Sequence, residues 1–163
     1  GGVPVPNSEG YTATCVEAVW HGLKVFETAD VDVEMFKNGT MRNIKRTVRK
    51  FGRPLGHRYG VKGTELLTYV EAGKRIYIPT FRWVLENRVA DIIARLREAS
   101  KTKTIILLDY DTNGDVENTR TPLSHAALIK AYAEGTYPYD DVEVEEGVQS
   151  QNEKVEPKQL SLF

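Results

Sequence analysis

Val16, Val19, Trp20, Leu23 and Phe26 fall close to an i, i+3, i+4, i+7 spacing, and a stripe of that kind has to be covered by the rest of the fold. The spacing predicts a helix from about residue 14. It follows an opening, residues 1–10, whose three glycines and two prolines read as loop. A second helix is predicted over 40–51, with Met41, Ile44, Val48 and Phe51 as its apolar face and Gly52-Arg53-Pro54 as its stop. Residues 66–70 suit strand and helix equally, and residues 75–78 read as a short strand. Pro79 then opens a third helix that reaches about residue 99, with Phe81, Val84, Leu85, Ile92 and Leu96 turned to the core.

The run Thr104-Ile105-Ile106-Leu107-Leu108 is short, apolar and β-branched, which predicts a buried strand, and Asn113-Gly114 marks a turn. A last helix is predicted from the pair Thr121-Pro122, with the hydroxyl as N-cap, to near Gly135. Beyond Tyr139 the chain is polar and acidic without helical periodicity, the composition of a disordered segment. The expected fold is therefore α+β: a mostly helical single domain with a small sheet over residues 1–138, followed by a flexible acidic C-terminal tail over 139–163.

Composition narrows the function classes. With 163 residues, 40% of them hydrophobic and 28% charged, the chain suits one globular domain plus a tail. No run of about 18 apolar residues occurs, so a membrane-spanning helix is not expected. The start, Gly1-Gly2-Val3-Pro4, lacks the charged-then-apolar layout of a secretory signal, and the expected setting is the cytoplasm. A single cysteine, Cys15, excludes an internal disulfide framework and a thiolate-only zinc site, and it reads as a buried structural thiol. With three histidines (His21, His57 and His125), a metal centre would need carboxylates. No cofactor is expected.

The net charge of −1 conceals a separation. Residues 42–62 carry eight Lys or Arg and no acid, whereas residues 140–156 carry seven acids against Lys154 alone. A basic block of that density suits phosphate or nucleic acid, and equally it is what a solvated face looks like. Within it, Pro54-Leu55-Gly56-His57-Arg58-Tyr59-Gly60 places two glycines around a His-Arg-Tyr triplet. Backbone amides there can approach an anion, although no Gly-Lys-Ser/Thr follows as in a P-loop. Arg46, Arg49, Arg53, His57 and Arg58 are the candidate phosphate or nucleic-acid contacts.

Two further groups bear on chemistry. On a continuous helix Glu17, His21 and Lys24, at i, i+4 and i+7, share one face bordering the apolar stripe. A partly desolvated carboxylate beside a cation there makes a general acid–base or electrostatic pair, and the same spacing also decorates ordinary amphipathic helices. The stretch Asp109-Tyr110-Asp111-Thr112-Asn113-Gly114 starts like a calcium loop, but its twelfth position is Arg120 where a bidentate Glu is required. The better reading is a strand end whose carboxylates, Asp109 and Asp111, emerge at a rim. Trp20 and Trp83 lie at core spacing and read as packing residues.

The last five residues, Gln159-Leu160-Ser161-Leu162-Phe163, follow a polar linker. Apolar residues at the end of such a tail suggest a docking peptide. The pentapeptide resembles the one by which bacterial replication and repair proteins bind the β sliding clamp. The resemblance implies that Leu162 and Phe163 enter an apolar pocket while Gln159 hydrogen-bonds at a neighbouring subsite, with Leu160 also among the partner-binding residues.

The stretch Thr14-Cys15-Val16-Glu17-Ala18-Val19-Trp20-His21-Gly22-Leu23-Lys24-Val25-Phe26 resembles the signature helix of the NADAR superfamily. That helix carries a Glu, a polar residue four on, a Lys seven on and an aromatic two later; here these are Glu17, His21, Lys24 and Phe26, with His21 where Gln is usual. Lys50-Phe51-Gly52-Arg53, then Pro54-Leu55, is similar to the family's basic helix ending in Gly-Arg, and residues 80–99 match its long helix. The family's late acidic residue before Trp-Gly is represented by Asp109, Asp111 and Asn113-Gly114 without the Trp. The resemblance implies N-glycosidic cleavage on a nucleotide-like substrate, ADP-ribosyl glycohydrolysis on modified DNA being one form. Glu17 would act at the leaving base or anomeric carbon, Lys24 would orient it, and Asp109 or Asp111 would stabilise an oxocarbenium-like ribose. The expected partners are a nucleotide or DNA ligand and the sliding clamp, in a DNA-repair setting. The alternative is a non-catalytic nucleotide- or nucleic-acid-binding module that docks on the clamp or competes for it.

Overall fold

The computed structural model describes residues 1–139. Two short antiparallel strands, β1 (Val3–Pro4) and β2 (Thr12–Ala13), lead into helix α1 (Val16–Gly22). Strand β3 (Lys24–Phe26) follows at once, then a 3₁₀ turn (Val33–Lys37) and the single-turn helix α2 (Val48–Phe51). Strands β4 (Pro54–Arg58) and β5 (Leu66–Leu67) complete a three-stranded antiparallel sheet in the order β3-β4-β5. The remainder is helical: α3 (Tyr69–Ala72), a π-helical turn (Gly73–Tyr77), α4 (Ile78–Asn87), α5 (Ala90–Ser100) and α6 (His125–Glu134). The architecture is α+β and mostly helical.

Helix α1 is the wall between two apolar cores. Ala18, Val19 and Leu23 pack with Val3, Phe36, Leu67 and Ile76, whereas Val16, one turn earlier, packs with Phe81, Leu85, Ile93 and Leu128. Helix α4 is shared in the same way, since Ile78, Phe81 and Leu85 face the second core while Trp83 and Val84 lean on the first. The apolar stripe predicted for α1 is therefore buried, but α1 ends at Gly22, and Lys24 and Phe26 belong to β3. The cause is packing. Val25 and Phe26 are buried as sheet residues opposite Gly56 and Pro54, which outweighs one more turn of helix.

Other expectations are corrected. The helix predicted over 40–51 is confined to α2, because Met41 and Asn43 take left-handed backbone angles and the Asn38 amide braces the loop through the Arg42 carbonyl. Residues 75–78 are helical. Ile76 and Ile78 are both buried, which mimics strand alternation, but they lie where a π turn passes into α4. Pro79 has no N–H to offer and would crowd a carbonyl one turn back, and the widened turn before it accommodates both. The long third helix is two helices, broken at Arg88 and Val89, so that Val89 and Ile93 reach the second core and Ile92 is left exposed.

Residues 104–108 form no strand pairing among the described residues. The cap of α6 is Ser124, whose Oγ accepts from the Ala127 N–H, and not Thr121; the stop at Gly135, in the left-handed region, is as predicted. Cys15 is half-buried, its thiol 3.8 Å from the Asn38 carbonyl oxygen. Among the described residues no helix is long and apolar enough to cross a membrane.

Candidate functional site

Glu17 stands on α1 beside the core boundary, its side chain 24% exposed. Two residues from far along the chain meet its carboxylate. Tyr77, the last residue of the π turn, donates its hydroxyl to Glu17 Oε1 at 3.1 Å, and His125, the first residue of α6, brings Nε2 to 3.3 Å from the same oxygen. Tyr77 Oη and His125 Nε2 are 2.6 Å apart, which closes a triangle of carboxylate, phenol and imidazole. One proton assignment satisfies every contact: the His125 Nε2–H, which the imidazolium and the neutral Nε2–H tautomer both carry, donates to the phenol oxygen, and the phenol donates to Glu17.

The electrostatics agree with that assignment. Burial pushes the Glu17 carboxyl up, but the hydrogen bond and charge of His125, with the Tyr77 hydroxyl, outweigh it and hold Glu17 below the usual carboxylate range. The hydrogen bond to Glu17 raises His125, against burial, with help from the charges of Glu17 and Asp109. Burial and then the Glu17 charge push the Tyr77 phenol well up, so it stays protonated. The site thus holds a carboxyl and an imidazole whose proton affinities are moved apart by their contact with each other, an arrangement that acid–base chemistry can use.

Aromatic rings surround the triangle. Tyr77 and His125 both stack on Phe81, with interplanar angles of 10° and 18°. Trp20 stands edge-on to Tyr77 and to Tyr69, each at 5.6 Å. On its other side Trp20 lies 3.8 Å from the ring of His57, which is 2% exposed and has both nitrogens buried without a partner among the described residues.

His57 sits directly across the sheet from Lys24. Burial, then the charges of Lys24 and His21, bring His57 down to about 3. Burial and then Lys24 bring His21 down to about 4, with the Glu17 charge acting the other way. Burial and then the Arg46 charge also lower Lys24. His21 thus feels both Glu17, one turn back on α1, and Lys24 on β3, whereas Glu17 and Lys24 answer to other neighbours, His125 and Tyr77 for the first and Arg46 for the second.

The remaining candidates divide. Asp109 lies at the N-terminus of α6, where its Oδ2 accepts from Ser124 Oγ at 3.0 Å and from the Ala126 N–H at 3.3 Å; it is tied to His125 through the helix. Asp111 accepts from the N–H groups of Thr112 and Asn113 in its own turn. Arg46 is 7% exposed, its guanidinium donating to the carbonyls of Lys24 and Asp30. Arg49 is exposed on α2, Arg53 pairs with Glu27 at 3.5 Å and Arg58 pairs with Asp30 at 2.8 Å. The basic block is not gathered at the triangle. Gln159, Leu160, Leu162 and Phe163 lie outside the described residues.

Tyr77 and His125 escape a reading of the sequence. The π turn disguises Tyr77 as a strand residue, and the only local mark on His125 is its place just after a capping serine. A cavity of about 670 Å³ opens elsewhere, between α5, residues 104–112 and α6, and neither Glu17 nor Tyr77 nor His125 lines it. Volume points there, whereas the titratable groups with displaced proton affinities converge at Glu17. Among the described residues no cluster of His, Cys, Asp and Glu could hold a metal ion.

Neither the curated proteins nor the solved structures include a match to this chain. The model of a family of unknown function, DUF6939, matches residues 1–129, a span that takes in Glu17, Tyr77 and His125, and the chain belongs to that family.

Proposed function

We propose that the protein is an N-glycosidase acting on a nucleotide-like substrate, with ADP-ribosyl groups on DNA as one form of that substrate. The observation that carries the reading is the triangle of Glu17, Tyr77 and His125 among aromatic rings. The resemblance of residues 14–26 to the NADAR signature supports the same class, and the clamp-like pentapeptide at 159–163 supports recruitment to DNA.

In this reading the base stacks against the exposed edge of the aromatic group, where Tyr69 is open to solvent. The bond from C1′ to the base nitrogen breaks with its electron pair going to the base. Protonated His125 gives the departing nitrogen its Nδ1 proton and keeps its Nε2–H on Glu17 and Tyr77. The Glu17 carboxylate stabilises the oxocarbenium-like carbon and takes a proton from the water that adds to it, leaving a free sugar and a free base. Lys24 and neutral His21 hold polar groups of the sugar.

The test is release of base from nucleoside glycosides and from ADP-ribosylated DNA by the wild-type chain and by Glu17→Gln. Wild type is expected to turn over, and Glu17→Gln to keep ligand affinity while losing at least 10²-fold in kcat. No release by wild type, or full turnover by the variant, refutes the reading; affinity without release leaves a binding module.

A further inference from the structure

Residues 104–108 carry a feature that the site does not use. Their burial alternates, with Thr104, Ile106 and Leu108 exposed and Ile105 and Leu107 half-buried against the cavity beside α6. That period of two is the mark of a strand lying with one face on the protein. Yet no backbone N–H or C=O of these five residues makes a hydrogen bond among the described residues. Ile106 is 77% and Leu108 89% exposed. An open edge with apolar side chains outward is a template for another strand.

We propose that this edge pairs with the same edge of a second copy of the chain, antiparallel and centred on Ile106. Charge selects that occupant. The run is flanked by Lys101 and Lys103 before it and by Asp109 and Asp111 after it. An antiparallel pairing about Ile106 sets Lys103 opposite Asp109 of the partner copy, twice by symmetry, while Lys101, in the turn that ends α5, stays paired with Glu98 of its own chain. Pairing in parallel register would align like charges at both ends. Among the described residues neither Lys103 nor Asp109 makes an ion pair; the exposed Asp109 carboxylate accepts from the Tyr110 and Ala126 N–H groups and the Ser124 hydroxyl, and can accept a cation beside them. Around the twofold, Ile106 meets its own copy, and Leu108 meets Thr104, covering the side chains that the monomer leaves in water.

Analytical ultracentrifugation of the full chain is the test. Wild type is expected to dimerise, and Ile106→Asp to weaken the dimer at least tenfold. Lys103→Asp and Asp109→Lys should each be monomeric alone, because each sets like charges face to face, and an equimolar mixture of the two should re-form a dimer. Circular dichroism checks that both variants keep their helices. Independently of any loss of fold, Ile106→Cys with Cys15→Ser should cross-link to itself under mild oxidation. Wild type that stays monomeric overturns the proposal, whatever else covers the edge. A dimer indifferent to Ile106→Asp, or a mixture that fails to recover, overturns it as well.

Discussion

Replacing His57 by Phe tests the description of the sheet beside Glu17. The imidazole is 2% exposed, lies tilted against Trp20 with ring centroids 3.8 Å apart, and faces Lys24 across the strands. Burial, with the charges of Lys24 and His21, holds it down to about 3. At about pH 4.5 the unfolded chain binds a proton on this ring that the folded chain refuses. Stability therefore falls as the pH drops below the ordinary histidine value, and it goes on falling until about pH 3.

Two pH units at about 1.4 kcal/mol each, less the few tenths already felt at pH 7, make a loss of roughly 2.5 kcal/mol between pH 7 and about 4.5. Phe keeps the ring and the contact with Trp20 but cannot titrate. Urea unfolding of both proteins at the two pH values should show that extra loss in wild type alone, since His21 and the carboxylates act in both. At pH 7 the variant should be at least as stable as wild type, because it removes two buried nitrogens without partners, each worth about 1–3 kcal/mol of desolvation. Parallel pH profiles would mean that His57 titrates as a solvated or partnered group, and the account of a dry imidazole would fail.

Two other substitutions probe the frame. Arg46→Ala removes a guanidinium that bonds the carbonyls of Lys24 and Asp30 and lies about 5 Å from the rings of both Phe26 and Phe51; it should cost about 3 kcal/mol in urea unfolding, and a change below about 1 kcal/mol would contradict that role. Gly60→Ala should cost at least about 2 kcal/mol, read as a lowered Tm, because φ there is +92° and a Cβ would strike the Asn7 carbonyl; an unchanged Tm would show that the loop relaxes freely.

What could be read from the sequence was what neighbouring residues decide among themselves. The stripe of α1 and the glycine stops at Gly52 and Gly135 depend on local periodicity and backbone freedom, and they stand where expected. Lys24 was misplaced because the sheet, a non-local partner, claims residues 24–26 from the helix. Arg46 reads in the sequence as a phosphate or nucleic-acid contact, but it is buried on two carbonyls 22 and 16 residues away that nothing nearby in sequence reveals. The site divides in the same way. Glu17 and His21 follow from spacing, but Tyr77 reaches Glu17 across 60 residues and His125 reaches Tyr77 across 48, through a π turn and a helix cap whose geometry no local pattern announces.

The position of α1 between two cores bears on how the protein comes apart. Val16 and Val19 sit on neighbouring turns yet answer to different halves of the molecule. Loosening either half loosens the backbone that carries Glu17, so thermal unfolding is expected to proceed in one transition in which carboxylate, phenol and imidazole separate together. The placement of Glu17 and the joining of the two cores rest on the same seven residues.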